Sequence, residues 1–354
     1  MLITGGCGFI GCNLAAHYLD CGWEVILYDN FSRPGVDKNA EWLLASGDPR
    51  LAILRQDVRD SEALRAAMEG IDVVIHLAAQ VAVTTSIIDP LEDFQVNALG
   101  GIHVLEAARL GGSDPIVFYA STNKVYGPLD QLRIEGQTLR YALSDHAEGI
   151  PETFPVDLHS PYGCSKGTCD LYALDYARVY GLRTVVFRQS CVYGPHQFGV
   201  EDQGWVAHFM ISALLGRPIT IYGDGRQVRD VLHIQDLIRV YDKAMERIEV
   251  ARGQAYNIGG GAINALSLLE MIYRLEAVLD RPIPLRFAPW RIADQRVYIS
   301  DIRKAQRDLG WCPEIPLDEG LSRLHVWVEE NREFFEREWG AQRYAVGQSI
   351  APAA

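Results

Sequence analysis

Basic charge is scarce in this chain. Its 354 residues include 33 lysines and arginines against 46 aspartates and glutamates, a formal net charge of −13. A nucleic-acid partner needs a basic surface, so none is expected. A local basic pocket for a small anion stays compatible with that balance. Long apolar runs are missing too. None approaches the roughly 20 residues that a membrane span requires, so no membrane partner is expected. The opening Met1-Leu2-Ile3-Thr4 runs straight into glycines, without the basic region and cleavage site of a secretory signal. The chain starts almost inside its first strand, and a few further residues upstream are expected. The seven cysteines include no Cys-x-x-Cys pair and fit neither a zinc site nor a disulfide framework. They read as free thiols in a reducing cytosol, so the expected location is cytoplasmic and no metal is expected.

What is present suits a globular enzyme. Apolar residues are 48%, enough for a well-buried core, and charged residues are 22%. In the first half, short apolar runs alternate with helical patterns. Val25 to Tyr28, Leu51 to Leu54, Val73 to Leu77, Ile116 to Tyr119 and Thr184 to Phe187 read as strands of a parallel sheet covered on both faces. Phe9 to Leu19, Ser61 to Met68, Leu91 to Arg109 and Tyr162 to Tyr180 have helical spacing. The alternation predicts a doubly wound α/β sheet with right-handed crossovers. After Arg188 the pattern loosens. Helical stretches near Val206 to Leu215, Leu266 to Leu279, Ile302 to Leu309 and Leu321 to Trp327 are separated by glycine turns, as in a smaller mixed α/β lobe. The division expected is 1–188 with 229–258 for the sheet domain, 189–228 with 259–340 for the lobe, and a loose tail over 341–354. Pro128 to His159 is long and polar, either functional or disordered.

Gly5-Gly6-Cys7-Gly8-Phe9-Ile10-Gly11 follows a short strand and opens a helix. Gly5 allows a sharp turn, Gly8 a close approach of backbone to a pyrophosphate, and Gly11 tight helix–sheet packing. Free N–H groups at the helix start, around Phe9 and Ile10, suit phosphates. Asp29 ends the next strand at the spacing of an adenosine-ribose ligand, so the sequence predicts a Rossmann domain. Its carboxylate favours NAD and would repel the 2′-phosphate of NADP, although Arg33 could grip that phosphate. Asn30 belongs to the same edge. Asp57-Val58 either meets the adenine or forms an ordinary strand-end turn.

Tyr162 and Lys166 stand four apart on one predicted helix and share a face. A free tyrosine with a pKa near ~10 is about one part in a thousand phenolate at neutral pH, a deficit of ~4 kcal/mol. A lysine cation ~5 Å away contributes ~3 kcal/mol at an effective dielectric of ~20. A positive nicotinamide ring would supply the remainder, making Tyr162 a general base toward a sugar hydroxyl. Ser121-Thr122-Asn123-Lys124-Val125-Tyr126-Gly127 follows a strand and sits at the sheet's carboxyl edge, where Thr122 can hold the reacting oxygen.

With these motifs stand His76-Leu77-Ala78-Ala79, Val192-Tyr193-Gly194-Pro195, Arg229-Asp230-Val231-Leu232-His233 and Asn257-Ile258-Gly259-Gly260. Over nearly its whole length the chain resembles the extended short-chain dehydrogenases that act on nucleotide sugars. The resemblance implies that Thr122, Tyr162 and Lys166 perform redox chemistry on a sugar hydroxyl, with Lys166 also holding the nicotinamide ribose. It places Leu77, Ala78, Ala79 and Gln80 beside the cofactor. Gln80 to Ser86, Ser121 to Gly127, His159 to Gly167, Asp202 to Val206 and Asp294 to Val297 resemble the members that act at C2 of a CDP-linked sugar. They imply NAD, a CDP-linked 3,6-dideoxyhexose and inversion at C2 through transient oxidation. Related 4,6-dehydratases carry Asp-Glu just after the catalytic hydroxyl; here the residues are Asn123 and Lys124, so that elimination lacks its acids. Arg229 and Arg296 are implied as diphosphate clamps, with Arg291 a third candidate. Asn123, Gln189 and Tyr222 are further substrate candidates. His196 and Gln197 either face the sugar or lie in a surface loop, and Thr85 and Ser86 either line the pocket or cap a helix. A UDP-sugar 4-epimerase, a CDP-glucose 2-epimerase and a non-catalytic NAD-sensing regulator remain alternatives. The helices Leu91 to Arg109 and Tyr162 to Tyr180 are expected to pair with their copies in a homodimer, alone or within a homotetramer.

Overall fold

The computed structural model describes residues 1–291 and 294–341. Seven parallel strands form its central sheet: β1 (Leu2–Thr4), β2 (Val25–Asp29), β3 (Leu51–Arg55), β4 (Val73–His76), β5 (Ile116–Thr122), β6 (Arg183–Gln189) and β7 (Gln254–Ile258). Their spatial order is β7-β6-β5-β4-β1-β2-β3. The order reverses at β1 and β4, so the crevice outside their carboxyl ends is where a ligand fits such a sheet. Continuous apolar runs make the strands two-sided. Helices Phe9–Asp20 and Ile234–Glu246 cover one face, and Ser61–Ala67, Gly100–Leu110 and Ser160–Tyr180 the other.

The helix expected over Leu91 to Arg109 is present with a flaw in it. It runs as Pro90–Phe94, a π turn over Gln95–Leu99, and Gly100–Leu110. Such a bulge re-aims side chains and is common at functional sites. Here Asn97 Nδ2 donates to the Gln80 carbonyl (2.9 Å), Asp93 Oδ1 (3.1 Å) and Ser165 Oγ (3.2 Å). The helix Ser160–Tyr180 starts with proline in its first turn and ends at Gly181, whose φ of 74° supplies the left-handed cap.

The second lobe centres on strand Val228–His233. It pairs in parallel with Cys191–Tyr193 and Val297–Tyr298, and antiparallel with Ala265–Ser267. The expected division put residues 229–258 in the sheet domain. The structure gives Gln254–Ile258 to the central sheet and Val228–His233 to the lobe. This strand's successive side chains serve different cores: Val231 packs into the lobe and Leu232 under the sheet. Helices Trp205–Leu214, Leu268–Leu279 and Leu317–Glu330 complete the lobe core. The polar segment before His159 is ordered. It contains the hairpin Ile134–Gly136 and Tyr141–Leu143, and buries Leu129, Tyr141 and Ile150 against Tyr126 and Tyr298. The expected tail lies outside the described residues, apart from Ala341 at the end of helix Arg332–Ala341. Among the described residues no helix is long and apolar enough to cross a membrane. All seven cysteines are free thiols.

Beneath the crevice lies a buried ion pair. Asp170 is 1% exposed and accepts Arg188 Nη2 at 2.9 Å, Arg188 Nε at 3.0 Å and Ser121 Oγ at 2.6 Å. Arg188 also donates to Tyr126 OH, which donates to Asn257 Oδ1. The geometry satisfies both charges, so removing one strands the other in a low-dielectric interior. Asp170→Asn should lower stability by about 3–5 kcal/mol. Urea unfolding followed by fluorescence checks this, and a change within error would show that the guanidinium finds another partner.

Candidate active site

The first turn of the chain builds a cradle. Gly5 sits at φ +66°, and a Cβ there would come within 2.8 Å of the Ala78 nitrogen. A Cβ on Gly11 would meet the Gly5 carbonyl at 2.6 Å. Gly6, which the motif spacing does not single out, is equally confined: a Cβ there would lie 2.7 Å from the Ile3 carbonyl. Gly8 caps the helix in an extended conformation. The first-turn N–H groups lack intrahelical partners, and Phe9 and Ile10 line the cleft. Asp29 Oδ2 accepts the Cys7 N–H (3.1 Å), and Oδ1 accepts that of Phe31 (2.9 Å). Burial raises the Asp29 pKa above its ordinary value, against the pull of those N–H groups and Arg33. A glycine cradle with a carboxylate at the next strand end fits NAD.

Other expected cofactor residues have structural partners of their own. Asn30 donates to Asp57 (2.8 Å), whose pKa is held down at about 2 by Arg59. Val58 is buried against Gly100. Leu77 and Ala78 donate to Thr4, and Gln80 folds back on Ala82. Arg33 donates to Gln203, a residue of the lobe, and its charge acts on both Asp29 and Tyr162. It therefore spans the two halves.

Thr122 ends β5, and Tyr162 stands in the first turn of the facing helix; both are buried. The Thr122 hydroxyl donates to Asn123 Oδ1 (3.4 Å) and accepts the Lys124 N–H (3.2 Å), and it pulls the Tyr162 pKa downward. Ser86 Oγ accepts the Tyr162 N–H (3.2 Å), and Ser165 Oγ donates to the buried Asp93. Lys166 lies beneath, donating to the Ala120 carbonyl at 2.6 Å with its ammonium 4.5 Å from the Tyr119 ring centre. The expected lowering of the Tyr162 pKa is not the net result. Burial dominates and pushes it up to about 12, while Thr122 and Arg33 pull downward and Asp93 pushes further up. Burial likewise lowers the Lys166 pKa to about 8.

The cleft between sheet and lobe has a volume of about 780 Å³. Thr122, Asn123, Tyr162, Gln189, Gln197, Tyr222 and Arg229 line it as expected. Thr85 does not: it faces outward, and the neighbouring Thr84 lines the cleft in its place. Ser86 serves as the tether of the Tyr162 backbone. His196 stacks on Trp42, ring centres 3.7 Å apart, away from the cleft. Arg296 is exposed over Trp290 and Tyr141, whereas Arg291 lines the cleft above Tyr222 and pairs with Asp202 (2.9 Å). Arg229 is paired with Asp294 at 2.6 Å. The expectations missed Lys124, Trp205, Trp290 and Asp294, all of which line the cleft.

A model of the "NAD dependent epimerase/dehydratase family" matches residues 1–259. The chain is 43% identical to CDP-paratose 2-epimerase of Salmonella typhi, over 93% of this chain and 98% of that one. It is 31% identical to a putative UDP-glucose 4-epimerase of Methanocaldococcus jannaschii, over 94% and 99%. Among solved structures, a dTDP-glucose 4,6-dehydratase of Streptomyces venezuelae with NAD bound superposes with a TM-score of 0.81, at 30% identity over 95% and 98%.

Thr122 and Tyr162 bring a buried hydroxyl and a buried phenol to the wall of the cleft. Tyr162→Phe should lower turnover roughly 10²- to 10⁴-fold while the purified protein keeps its NAD. Assay of nucleotide-sugar conversion, with cofactor content measured after acid release, checks both halves. Normal turnover in the variant would place the base elsewhere.

Proposed function

The chain belongs to the NAD-dependent epimerase/dehydratase family, and from that premise we propose that it inverts C2 of a CDP-linked hexose through transient oxidation. The observation that carries this reading is the likeness to CDP-paratose 2-epimerase over almost the full length of both chains. The site supports it. Asn123 and Lys124 follow the reacting hydroxyl where an acid pair would serve dehydration, and the basic Arg229 and Arg291 border an otherwise acidic chain's cleft. The sheet domain holds the cofactor and the lobe the nucleotide.

Tyr162 takes the proton of the C2 hydroxyl while Thr122 holds its oxygen. NAD held by the glycine cradle and Asp29 would supply the hydride acceptor, and in its reduced form the hydride donor, for that carbon. Lys166 holds the nicotinamide ribose. The likeness to a putative UDP-glucose 4-epimerase favours a second reading, inversion at C4 of a UDP-sugar. Turnover on a panel of nucleotide sugars separates the two.

The seven free thiols fit a reducing cytoplasm, and the acidic balance argues against nucleic-acid partners. Leu91, Phe94, Leu99, Leu171, Tyr172 and Val179 are large, apolar and exposed on the two helices expected at the dimer seam. Sedimentation at micromolar protein should find a dimer or tetramer; a monomer alone would remove this part of the reading.

The route of inversion is also open to test. Exchange of the C2 proton with solvent needs a ketone at C3, and a 3-deoxy sugar has no hydroxyl there. Oxidation at C4 leaves C2 unactivated, because the two are not adjacent. Hydride removal at C2 is the route these residues support. Turnover in heavy water should leave C2 free of deuterium, and a C2-deuterated substrate should keep its label with inverted configuration. Solvent deuterium at C2 would refute hydride transfer and point to a substrate that keeps its 3-hydroxyl, such as CDP-glucose.

A further inference from the structure

Lys124, Asp294 and Arg229 form a charged cluster, and the redox step above gives Lys124 no task. Lys124 stands two residues beyond Thr122 at the carboxyl edge of the sheet, and its side chain is 22% exposed to the cleft. Its Nζ lies 3.6 Å from Asp294 Oδ1, and Arg229 Nη2 lies 2.6 Å from the same oxygen. The three residues come from different elements: the short 3-10 helix Asn123–Tyr126 that follows β5, the lobe strand Val228–His233 and the loop before Val297. Burial lowers the Lys124 pKa, Asp294 opposes that, and Arg229 adds to it. Two cations meet one carboxylate oxygen at the cleft wall, which also carries the Arg291–Asp202 ion pair. An ammonium at the wall of a ligand cleft can donate charge-assisted hydrogen bonds to an anionic ligand.

The substrate's own geometry says which anion. C2 is bonded to C1, and C1 carries the diphosphate. Holding the C2 oxygen against Thr122 and Tyr162 therefore brings the sugar-linked phosphate close to those side chains. With C4 held there instead, the ring separates them. An enzyme acting at C2 needs a cation beside its catalytic hydroxyl, where one acting at C4 does not. We propose that Lys124 binds the sugar-linked phosphate of the substrate and so fixes C2, rather than C4, against Tyr162. Asp294 orients the ammonium when the cleft is empty, and Arg229 backs the carboxylate. This assignment rests on the reading of the substrate as a nucleoside-diphosphate sugar oxidised at C2.

The test compares CDP with CMP, which lacks the second phosphate, by calorimetric titration of NAD-loaded protein. Lys124→Met and Lys124→Gln should weaken CDP binding by about tenfold to a hundredfold while moving CMP less than about twofold. Lys124→Arg should recover most of the CDP affinity. Retained NAD shows that each variant is folded. Equal weakening of CDP and CMP, or unchanged CDP binding, overturns the assignment. If wild-type protein prefers UDP, the cytidine reading fails on its own, and UDP against UMP carries the same test of Lys124.

Discussion

Asp170 holds Thr122 and Tyr162 in one frame. It lies one turn beyond Lys166 on the helix that carries Tyr162, and its carboxylate grips Ser121, the neighbour of Thr122 on β5. Arg188 on β6 grips the same carboxylate with two nitrogens and passes the connection through Tyr126 to Asn257 on β7. A helix packed on a sheet by apolar contacts alone can slide by fractions of an ångström. A bidentate buried ion pair with a third donor has one geometry in which every partner is satisfied. Thr122 and Tyr162 inherit their separation from it. A second tether acts from the other side, where Asp93 and Asn97 tie Ser165 to the Gln80 loop, and Ser86 holds the Tyr162 backbone.

The same burial that fixes the pair works against its chemistry. Tyr162 is pushed up to about 12, far from the value a base needs at neutral pH. Lys166 faces a penalty of the opposite sign and leans on the Ala120 carbonyl. The protein alone therefore keeps the phenol protonated. A positive charge near the phenol must shift the balance, and an oxidised nicotinamide seated against Tyr162 would supply one. Proton removal would then coincide with the state able to accept a hydride, and reprotonation with the state able to return it. An epimerase needs that coincidence in both directions, since a proton lost in the wrong state would leave the sugar stranded as a ketone.

Much of this was legible in the residues because periodicity and glycine spacing report backbone geometry directly. The apolar runs of β2 to β6 predicted a sheet covered on both sides, and Gly5, Gly8 and Gly11 predicted the cradle. Thr122 and Tyr162 were legible because strand end and helix start are local features. Side-chain direction in irregular segments was not. Helix Val83–Ile88 begins one residue before Thr84, and that register turns Thr84 inward and Thr85 out. Arg291 and Arg296 flank the same loop, and no period in the sequence says which of them reaches the cleft. Strand Val228–His233 was misassigned because it is buried on both faces, which its sequence shows, but by two different cores, which it does not. Asp170 and Asp93 were overlooked as acidic positions on helices, where the usual expectation is solvent.

Position 124 gathers these threads. It follows Thr122 in the short 3-10 helix that leaves β5, so in the proposed reaction whatever group stands there meets the sugar beside the carbon being oxidised. A carboxyl group at that place can pull a proton from the neighbouring carbon once a ketone has formed, and elimination follows. An ammonium group cannot act as that base while charged. It can hold a phosphate, and for C2 the phosphate-bearing carbon is the neighbour. The choice also eases the inversion. C2 lies close to the bonds joining sugar to diphosphate, so rotation about those bonds turns over its face with little displacement of the carbon. C4, across the ring, must swing through a wide arc to return to the same spot. Anchoring the phosphate beside Tyr162 thus fixes the pivot as well as the position, and the cofactor and the base stay where the buried Asp170 frame puts them.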